Sequence, residues 1–143
     1  MSNNLSRYKE AQESSYYIAL EEIKNGRKQS HWMWYIFPQI IGLGHSSTSQ
    51  YYAIQNIEEA TEYLNDSILG KRLIEICNEL LKLDCSDAHL IFGSPDDLKL
   101  RSSVTLFSQV ENTNHVFMAI LEKFFDNKPD YLTLRIIDEF STK

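Results

Sequence analysis

Hydrophobic residues recur at helical spacing through most of the chain. Apolar side chains at positions i, i+3, i+4 and i+7 share one face of a helix, while polar residues fill the positions between them. This pattern predicts amphipathic helices that each bury one face. The predicted helices span residues 6–25, 57–64, 69–83, 94–108 and 116–125, with a last helix that begins after Asp130.

The apolar faces of these helices form the predicted core. The strongest repeat runs from Leu69 to Leu83, with Cys77 packed beside Leu73 as a buried and unreactive thiol. The predicted core positions are Tyr16, Ala19, Leu20, Ile23, Ile57, Ala60, Leu64, Leu69, Leu73, Ile76, Leu80, Leu83, Leu100, Val104, Phe107, Val116, Phe117, Ile120, Leu121, Phe124, Phe125, Leu132, Ile136, Ile137 and Phe140.

Residues typical of helix ends bound these segments. Asn25-Gly26 predicts a stop, because glycine adopts the left-handed conformation at little cost. Ser94 is the predicted N-cap of the helix that follows it, with Pro95 at its first position and two acidic residues after that. Asp130 is predicted to cap the last helix. Ser30 is predicted to cap the segment that begins at residue 31.

Aromatic residues are concentrated in segment 31–39, which holds both tryptophans. We predict a short buried helix there that ends before Pro38, because proline disfavours helical geometry in the residue before it. A buried strand is the alternative, since aromatic residues are also common in strands. Segment 88–92 leaves the same two choices, and 49–54 is predicted to be a short helix.

Together these elements predict an all-α single domain over residues 1–143, with six or seven helices and frayed residues 1–5. No heptad repeat is sustained, so we expect globin-style packing of the helices rather than a coiled coil.

Charge and composition narrow the partners. The net charge of −6 argues against nucleic acid and anionic membranes, and no apolar run approaches the ~18 residues of a membrane span. Two cysteines and a polar N-terminus predict a cytoplasmic protein. The four histidines are scattered, so we expect neither a metal nor another cofactor; His89 and His115 are weak candidates for haem ligands. The oligomeric state is left open.

One candidate binding surface lies on the helix that follows Ser94. Lys99, Ser102 and Ser103 are spaced i, i+3, i+4, and Arg101 and Thr105 flank them. Such a set of donors is suited to a phosphate or a carboxylate. The alternative is an ordinary solvated helix face whose hydroxyls bond back to the backbone.

The aromatic segment is the second candidate. Polar residues His31, Gln39, His45 and Ser46 surround its tryptophans, and aromatic walls with a few polar groups are typical of small-molecule pockets. In this interpretation Trp32 stacks on the ligand. The alternative is a plain aromatic core.

Several blocks of the sequence resemble an uncharacterised family whose members are often labelled calpastatin-like and otherwise called a domain of unknown function. The resemblance covers nearly the whole chain, with Val104 where the family motif leads us to expect Met. It implies an all-α, truncated globin-like fold without a haem role, and no activity. Calpastatin segments are disordered, so we interpret that label as a misannotation. The main matching blocks are His31-Trp32-Met33-Trp34-Tyr35-Ile36-Phe37-Pro38-Gln39, Gly42-Leu43-Gly44-x-Ser46 and Lys99-Leu100-Arg101-Ser102-Ser103-x-Thr105-Leu106-Phe107.

These observations lead to three hypotheses. The first is a domain that binds a small anionic ligand, nucleotide-like or phosphorylated, between segment 31–39 and segment 99–105. The second is an enzyme acting on such a ligand, with His31 as general acid or base and Asp97 as its orienting group or as a second carboxylate. The third is a non-catalytic protein-interaction module. The predicted ligand-binding residues are Trp32, Gln39, Ser46, Lys99, Arg101, Ser102, Ser103 and Thr105.

Overall fold

The computed structural model describes residues 5–141, and the regular structure in that range is helical. A single parallel bridge between Ile40 and Ile54 joins two extended loops. The helices are α1 (Ser6–Lys24), α2 (Met33–Ile36), α3 (Ser47–Tyr52), α4 (Ile57–Asn65), α5 (Leu69–Lys82), α6 (Ala88–Phe92), α7 (Asp96–Ser108), α8 (Val116–Phe125) and α9 (Tyr131–Ser141).

The all-α prediction is therefore confirmed, and the two segments that left a choice between strand and helix are the short helices α2 and α6. The count in the described range is nine rather than six or seven, because three of the helices are only four to six residues long. Globin-like packing stays a prediction. The predicted fraying at residues 1–4 falls outside the described residues.

Helix α7 occupies the centre of the fold. It packs against α4, α6, α8 and α9, and every residue from Ser102 to Phe107 is buried. On the other side of the molecule, α1 packs against α5 and α2. A helix surrounded in this way buries its polar side chains with its apolar ones, so they must find partners inside the protein.

The predicted core faces of α1, α5 and α8 are largely confirmed. For α9 half of the prediction holds, because Ile136 and Ile137 pack against the core but the other two residues do not. Leu132 and Phe140 of α9 are 46% and 41% exposed, whereas Thr133 is fully buried. The backbone N–H and hydroxyl of Thr133 donate to the carboxylate of Asp130, which is also bonded to Ser102 of α7. This polar contact, together with the apolar contacts of Ile136 and Ile137, holds α9 against the core.

Two of the predicted caps are also wrong. The Ser94 side chain does not cap α7; the first amides of that helix bond to the backbone oxygens of Gly93 and Pro95. The Ser30 hydroxyl donates to Glu22 instead of capping α2. The stop at Gly26 is confirmed, with φ of +79°.

Glu22 holds the connection between α1 and α2. Its carboxylate accepts hydrogen bonds from the backbone N–H of Gln29 (2.8 Å), from the N–H and hydroxyl of Ser30, and from the indole of Trp32 (2.9 Å). Partial burial raises the pKa of Glu22, but the hydrogen bonds lower it more, from an ordinary value of 4.5 to about 2. The charged carboxylate is therefore the form that the folded state prefers.

We expect this carboxylate to make folding sensitive to acid. Because its folded pKa is lower than its unfolded pKa, its stabilisation is complete above about pH 4.5 and is lost as the pH falls toward 2. Glu22→Gln should lower the free energy of unfolding by about 1–2 kcal/mol at pH 7 and flatten its dependence on pH below 4.5. Urea unfolding at several pH values measures both effects. Glu21→Gln, at the exposed neighbouring residue, should keep the wild-type dependence; equal profiles for the two variants would contradict this role.

No helix within residues 5–141 combines the length and the apolar character that crossing a membrane requires.

Candidate functional site

Trp34, rather than Trp32, presents an indole ring at the surface. Trp32 is the residue just before α2 and Trp34 lies within that single-turn helix. Because the two are two positions apart, their side chains leave in roughly opposite directions. Trp34 is half-buried. The ammonium of Lys99 from α7 lies 5.0 Å from the centroid of its ring, close enough for a cation–π interaction.

The prediction that Trp32 stacks on a ligand is wrong for this structure. Trp32 is only 1% exposed and packs against Phe37 and Phe92 of the core. Its indole N–H already donates to Glu22. The ring therefore has no free face to offer.

The side chain of Lys99 lies in a surface depression that we call the Lys99 cleft. Its volume is about 340 Å³. The cleft brings Gln39, from the end of the aromatic segment, together with Lys99 and Ser102 of α7, three of the residues predicted to bind ligand. Its walls are Gln39, Leu43, Gly44, Ser49, Pro95, Leu98, Lys99, Ser102, Asp130 and Leu132.

The charge of Lys99 is only partly balanced by its neighbours. Its ammonium lies 3.5 Å from the carboxylate of Asp96, but the same carboxylate is bound more closely by Lys28, at 2.8 Å. Two cations thus share one anion, which leaves an excess positive charge beside Trp34. A further carboxylate, that of Asp130, supplies a negative charge on the α9 side of the cleft.

Asp130 is held in place by three hydrogen bonds at the start of α9. Its Oδ2 accepts from the Ser102 hydroxyl at 3.1 Å, from the Thr133 N–H at 3.2 Å and from the Thr133 hydroxyl. The positive end of the α9 dipole also favours a carboxylate there. The cleft is therefore polarised, with a cation on the α2 side and an anion on the α9 side.

Other predicted ligand residues on α7 face the interior. Ser103 and Thr105 are fully buried. The hydroxyl of Thr105 accepts a hydrogen bond from the Asp130 N–H at 2.9 Å, so it fixes the loop before α9. Ser103 Oγ is buried and has no hydrogen-bond partner among the described residues. Ser103 and Thr105 are therefore not available to a ligand, whereas Lys99 and Ser102 of the same helix line the cleft. The Ser102 hydroxyl also bonds back to the Leu98 oxygen, as the alternative interpretation of this face expected.

Arg101 and Ser46 also lie outside the walls of the Lys99 cleft. Arg101 points to a different depression, where it donates to the backbone oxygens of Lys128 and Pro129. Ser46 caps α3 by accepting from the N–H of Ser49. Ser49, three residues further on, reaches the cleft instead.

Next to Trp34 lies a second depression, which we call the aromatic groove. Its volume is about 550 Å³. A small cavity shares Trp34 and Tyr52 with this groove and Gln39, Gly44 and Ser49 with the Lys99 cleft. This cavity therefore connects the groove to the cleft, and Trp34 lines both the cavity and the groove. The walls of the groove are His31, Trp34, Tyr35, Ser47, Thr48, Tyr51 and Tyr52.

A buried ion pair anchors the far wall of the groove. Arg7 donates to the backbone oxygens of Tyr51 (2.8 Å) and Ala53 (3.0 Å), and the Tyr8 hydroxyl donates to that of Tyr52 (2.6 Å). Glu59 of α4 pairs with Arg7 at 3.3 Å. The end of α3 is thus tied to α1 and α4 through its backbone.

His31 and Asp97 do not form the predicted catalytic pair. Asp97 lies 3.5 Å from Nδ1 of His89, and this is the one histidine ion pair within residues 5–141. His31 lines the aromatic groove. Burial raises the pKa of the Cys77 thiol, as expected for a thiol without nucleophilic character. No three His, Cys, Asp or Glu side chains in the described range converge in a way that would hold a metal ion.

The residues that sequence reasoning missed are Trp34, Ser49, Tyr51, Tyr52 and Asp130. The two-residue spacing of the tryptophans sends their side chains in roughly opposite directions, but it does not show which ring reaches the surface. Nothing in the sequence placed Asp130 next to Ser102, because 28 residues separate them.

These features describe an all-helical protein with two adjoining surface depressions around one tryptophan. A family described as "Protein of unknown function (DUF1810)" matches residues 2–137, and the chain belongs to that family. A comparison with curated proteins finds no match. The fold is similar to the crystal structure of the conserved hypothetical protein Rv1873 from Mycobacterium tuberculosis, with a TM-score of 0.92 and 40% identity over 94% of this chain and 96% of that one. Neither match supports the calpastatin label.

Proposed function

We propose that this protein binds a small anionic ligand, nucleotide-like or phosphorylated, in the Lys99 cleft. The observation that carries the proposal is the position of Lys99: its ammonium lies against Trp34 in a cleft that also holds Gln39 and Ser49. Small-ligand sites typically combine an aromatic wall with a few converging polar groups.

The charges around the cleft support an anion at the Trp34 side. Lys99 shares Asp96 with Lys28, so its positive charge is not cancelled by that single carboxylate. Asp130 disfavours an anion on the α9 side and instead suits a hydroxyl or amino group of the ligand. A ligand that carries hydrogen-bond donors close to its anionic group fits this distribution of charge.

The aromatic groove supports a ligand that also carries a flat ring. Trp34 lines the groove and is contacted by Lys99 of the cleft, and Tyr35, Tyr51 and Tyr52 also line the groove. A ring placed against these side chains would be stacked, while its attached phosphate lies toward Lys99. A mononucleotide has this combination of groups. The enzyme hypothesis gains no support, since the histidine that Asp97 approaches, at 3.5 Å, is His89 and not His31.

The test is a thermal-shift screen with AMP, GMP, UMP, ribose 5-phosphate and glucose 6-phosphate, followed by calorimetric titration of any stabilising compound. A ligand at 100 times its dissociation constant stabilises by about 2.7 kcal/mol, or roughly 5–10 °C in a protein of this size. Lys99→Ala should weaken binding by about tenfold or more, since a charge-assisted hydrogen bond is lost.

The matched control is Lys71→Ala, which removes the same charge from an exposed position on α5. It should bind like the wild type. Trp34→Leu should weaken nucleotides more than ribose 5-phosphate if the ring stacks. Equal affinities of the Lys99 and Lys71 variants, or no stabilisation by any compound together with concentration-dependent oligomers, would contradict the proposal and favour the interaction module.

A further inference from the structure

Arg101 belongs to a third depression, on the other side of the segment that joins α8 to α9. We call it the basic cleft; its volume is about 520 Å³. Arg101 follows Lys99 by two residues, so the two side chains leave α7 about 200° apart. Asp126 and Lys128 of the joining segment line the basic cleft, whereas Asp130 lines the Lys99 cleft.

Three cations meet in the basic cleft. Arg101, Lys123 and Lys128 line it together with one carboxylate, that of Asp126, and the hydroxyl-bearing Ser86. None of the ion pairs within residues 5–141 includes any of these three cations. This concentration of positive charge is unusual in a chain whose net charge is −6.

Lys123 is fixed by the end of α5. Its ammonium donates to the backbone oxygens of Leu80 and Leu81, at 3.0 Å each, and to that of Leu83. These carbonyls use all three of its donors. They carry partial charges only, so they offset part of the positive charge and leave the rest as a fixed field in the cleft.

Arg101 is also fixed but keeps free donors. Its Nε donates to the Lys128 oxygen at 2.9 Å and its Nη2 to the Pro129 oxygen at 3.0 Å. A guanidinium has five N–H groups, so three remain for another acceptor. Lys128 is exposed and its ammonium forms no hydrogen bond within the described residues. The cleft thus offers an oriented arginine fork, a free ammonium and the field of a third cation.

We propose that the basic cleft is a second binding site, for a small molecule that carries a phosphate group. A planar arginine fork beside a mobile lysine matches the geometry of phosphate oxygens, and phosphate tolerates a single nearby carboxylate when three cations surround it. A long polyanion such as nucleic acid is disfavoured, because the rest of the protein is acidic. This proposal does not depend on the Lys99 cleft.

The probe is inorganic pyrophosphate, titrated by calorimetry into the full-length protein at low ionic strength. The background is Lys99→Ala, which removes the principal cation of the other cleft. Binding should persist in that background, and adding Lys128→Ala should weaken it about tenfold or more. Arg101→Lys keeps the charge but loses the fork, and should weaken binding as well.

Lys71→Ala in the same background is the control for net charge, and its affinity should equal that of the Lys99→Ala protein. Circular dichroism checks that each variant is folded. The proposal is overturned by loss of pyrophosphate binding in Lys99→Ala alone, by absence of binding in the wild type, or by equal weakening from Lys71→Ala and Lys128→Ala.

Discussion

Replacement of Glu59 by Gln should lower the free energy of unfolding by about 3 kcal/mol. Glu59 is 1% exposed and its ion-pair partner Arg7 is 7% exposed, so the substitution leaves a buried guanidinium without its carboxylate. Both carboxylate oxygens contact Arg7, and one also accepts from the N–H of Gln55 at 2.8 Å. Breaking such a pair from one side costs more than the pair itself contributes, because the remaining charge is poorly solvated.

The measurement is urea unfolding of the wild type and two variants. Glu58→Gln changes the exposed neighbouring residue of α4 and should shift the free energy of unfolding by less than about 0.5 kcal/mol. A urea midpoint for Glu59→Gln equal to that of Glu58→Gln would show that breaking the buried ion pair does not lower the free energy of unfolding as expected.

We expect Glu59→Gln to weaken ligand binding in the aromatic groove as well. Arg7 holds the backbone oxygens of Tyr51 and Ala53, so a displaced guanidinium loosens the wall of the aromatic groove. A ligand that stacks in the groove should then bind Glu59→Gln more weakly than Glu58→Gln at a temperature where both are folded. An unchanged affinity would place the ligand away from this wall.

Gly70→Ala is the second change with a large expected effect, a loss of about 3 kcal/mol or more. In an ordinary helix this substitution gains close to 1 kcal/mol. Gly70, however, lies in the first turn of α5 where α4 turns into it, and a β-carbon there would lie 1.8 Å from the backbone oxygen of Leu64. The backbone between the two helices must move to accommodate it, and that cost exceeds the gain in helix propensity.

Gly26→Ala provides the comparison. Gly26 has φ of +79° with open space around it, so alanine there pays only for the left-handed backbone, about 1 kcal/mol. Thermal unfolding should place Gly70→Ala several degrees below Gly26→Ala. The reverse order would show that the α4–α5 turn relaxes easily.

Much of the fold was predictable because its signals are local. The spacing of apolar residues predicts the long helices α1, α5 and α8, and the residues buried in the structure match that spacing. Helix α9 follows its apolar spacing only in part, because the apolar Leu132 is exposed while the polar Thr133 is buried. The buried position of Thr133 depends on its hydrogen bond to Asp130, which is also bonded to Ser102 of α7. The bond between Asp130 and Ser102 forms only when α7 and α9 are packed together.

The candidate site was predictable in outline only. Segment 31–39 and helix α7 share a cleft through Gln39, Lys99 and Ser102. The residue types in each segment marked it as a candidate, but the sequence did not show that the two segments lie side by side. The assignment of individual side chains failed where orientation mattered. Trp32 and Trp34 have equal claims in the sequence, and only packing against Phe37 and Phe92 decides which ring is buried.

The sequence by itself determined the helical class and most long helices, and it marked two segments as candidates for a site without showing that they meet. These properties follow from the spacing of residues a few positions apart, and that spacing is read directly from the sequence. The tertiary structure alone decided which polar groups stay accessible. Lys99 and Arg101, two residues apart, end in different clefts because α7 is enclosed on most sides, while Ser103 and Thr105 are buried with its apolar face. Accessibility depends on what packs around a helix, and that is a property of the assembled core rather than of any one segment.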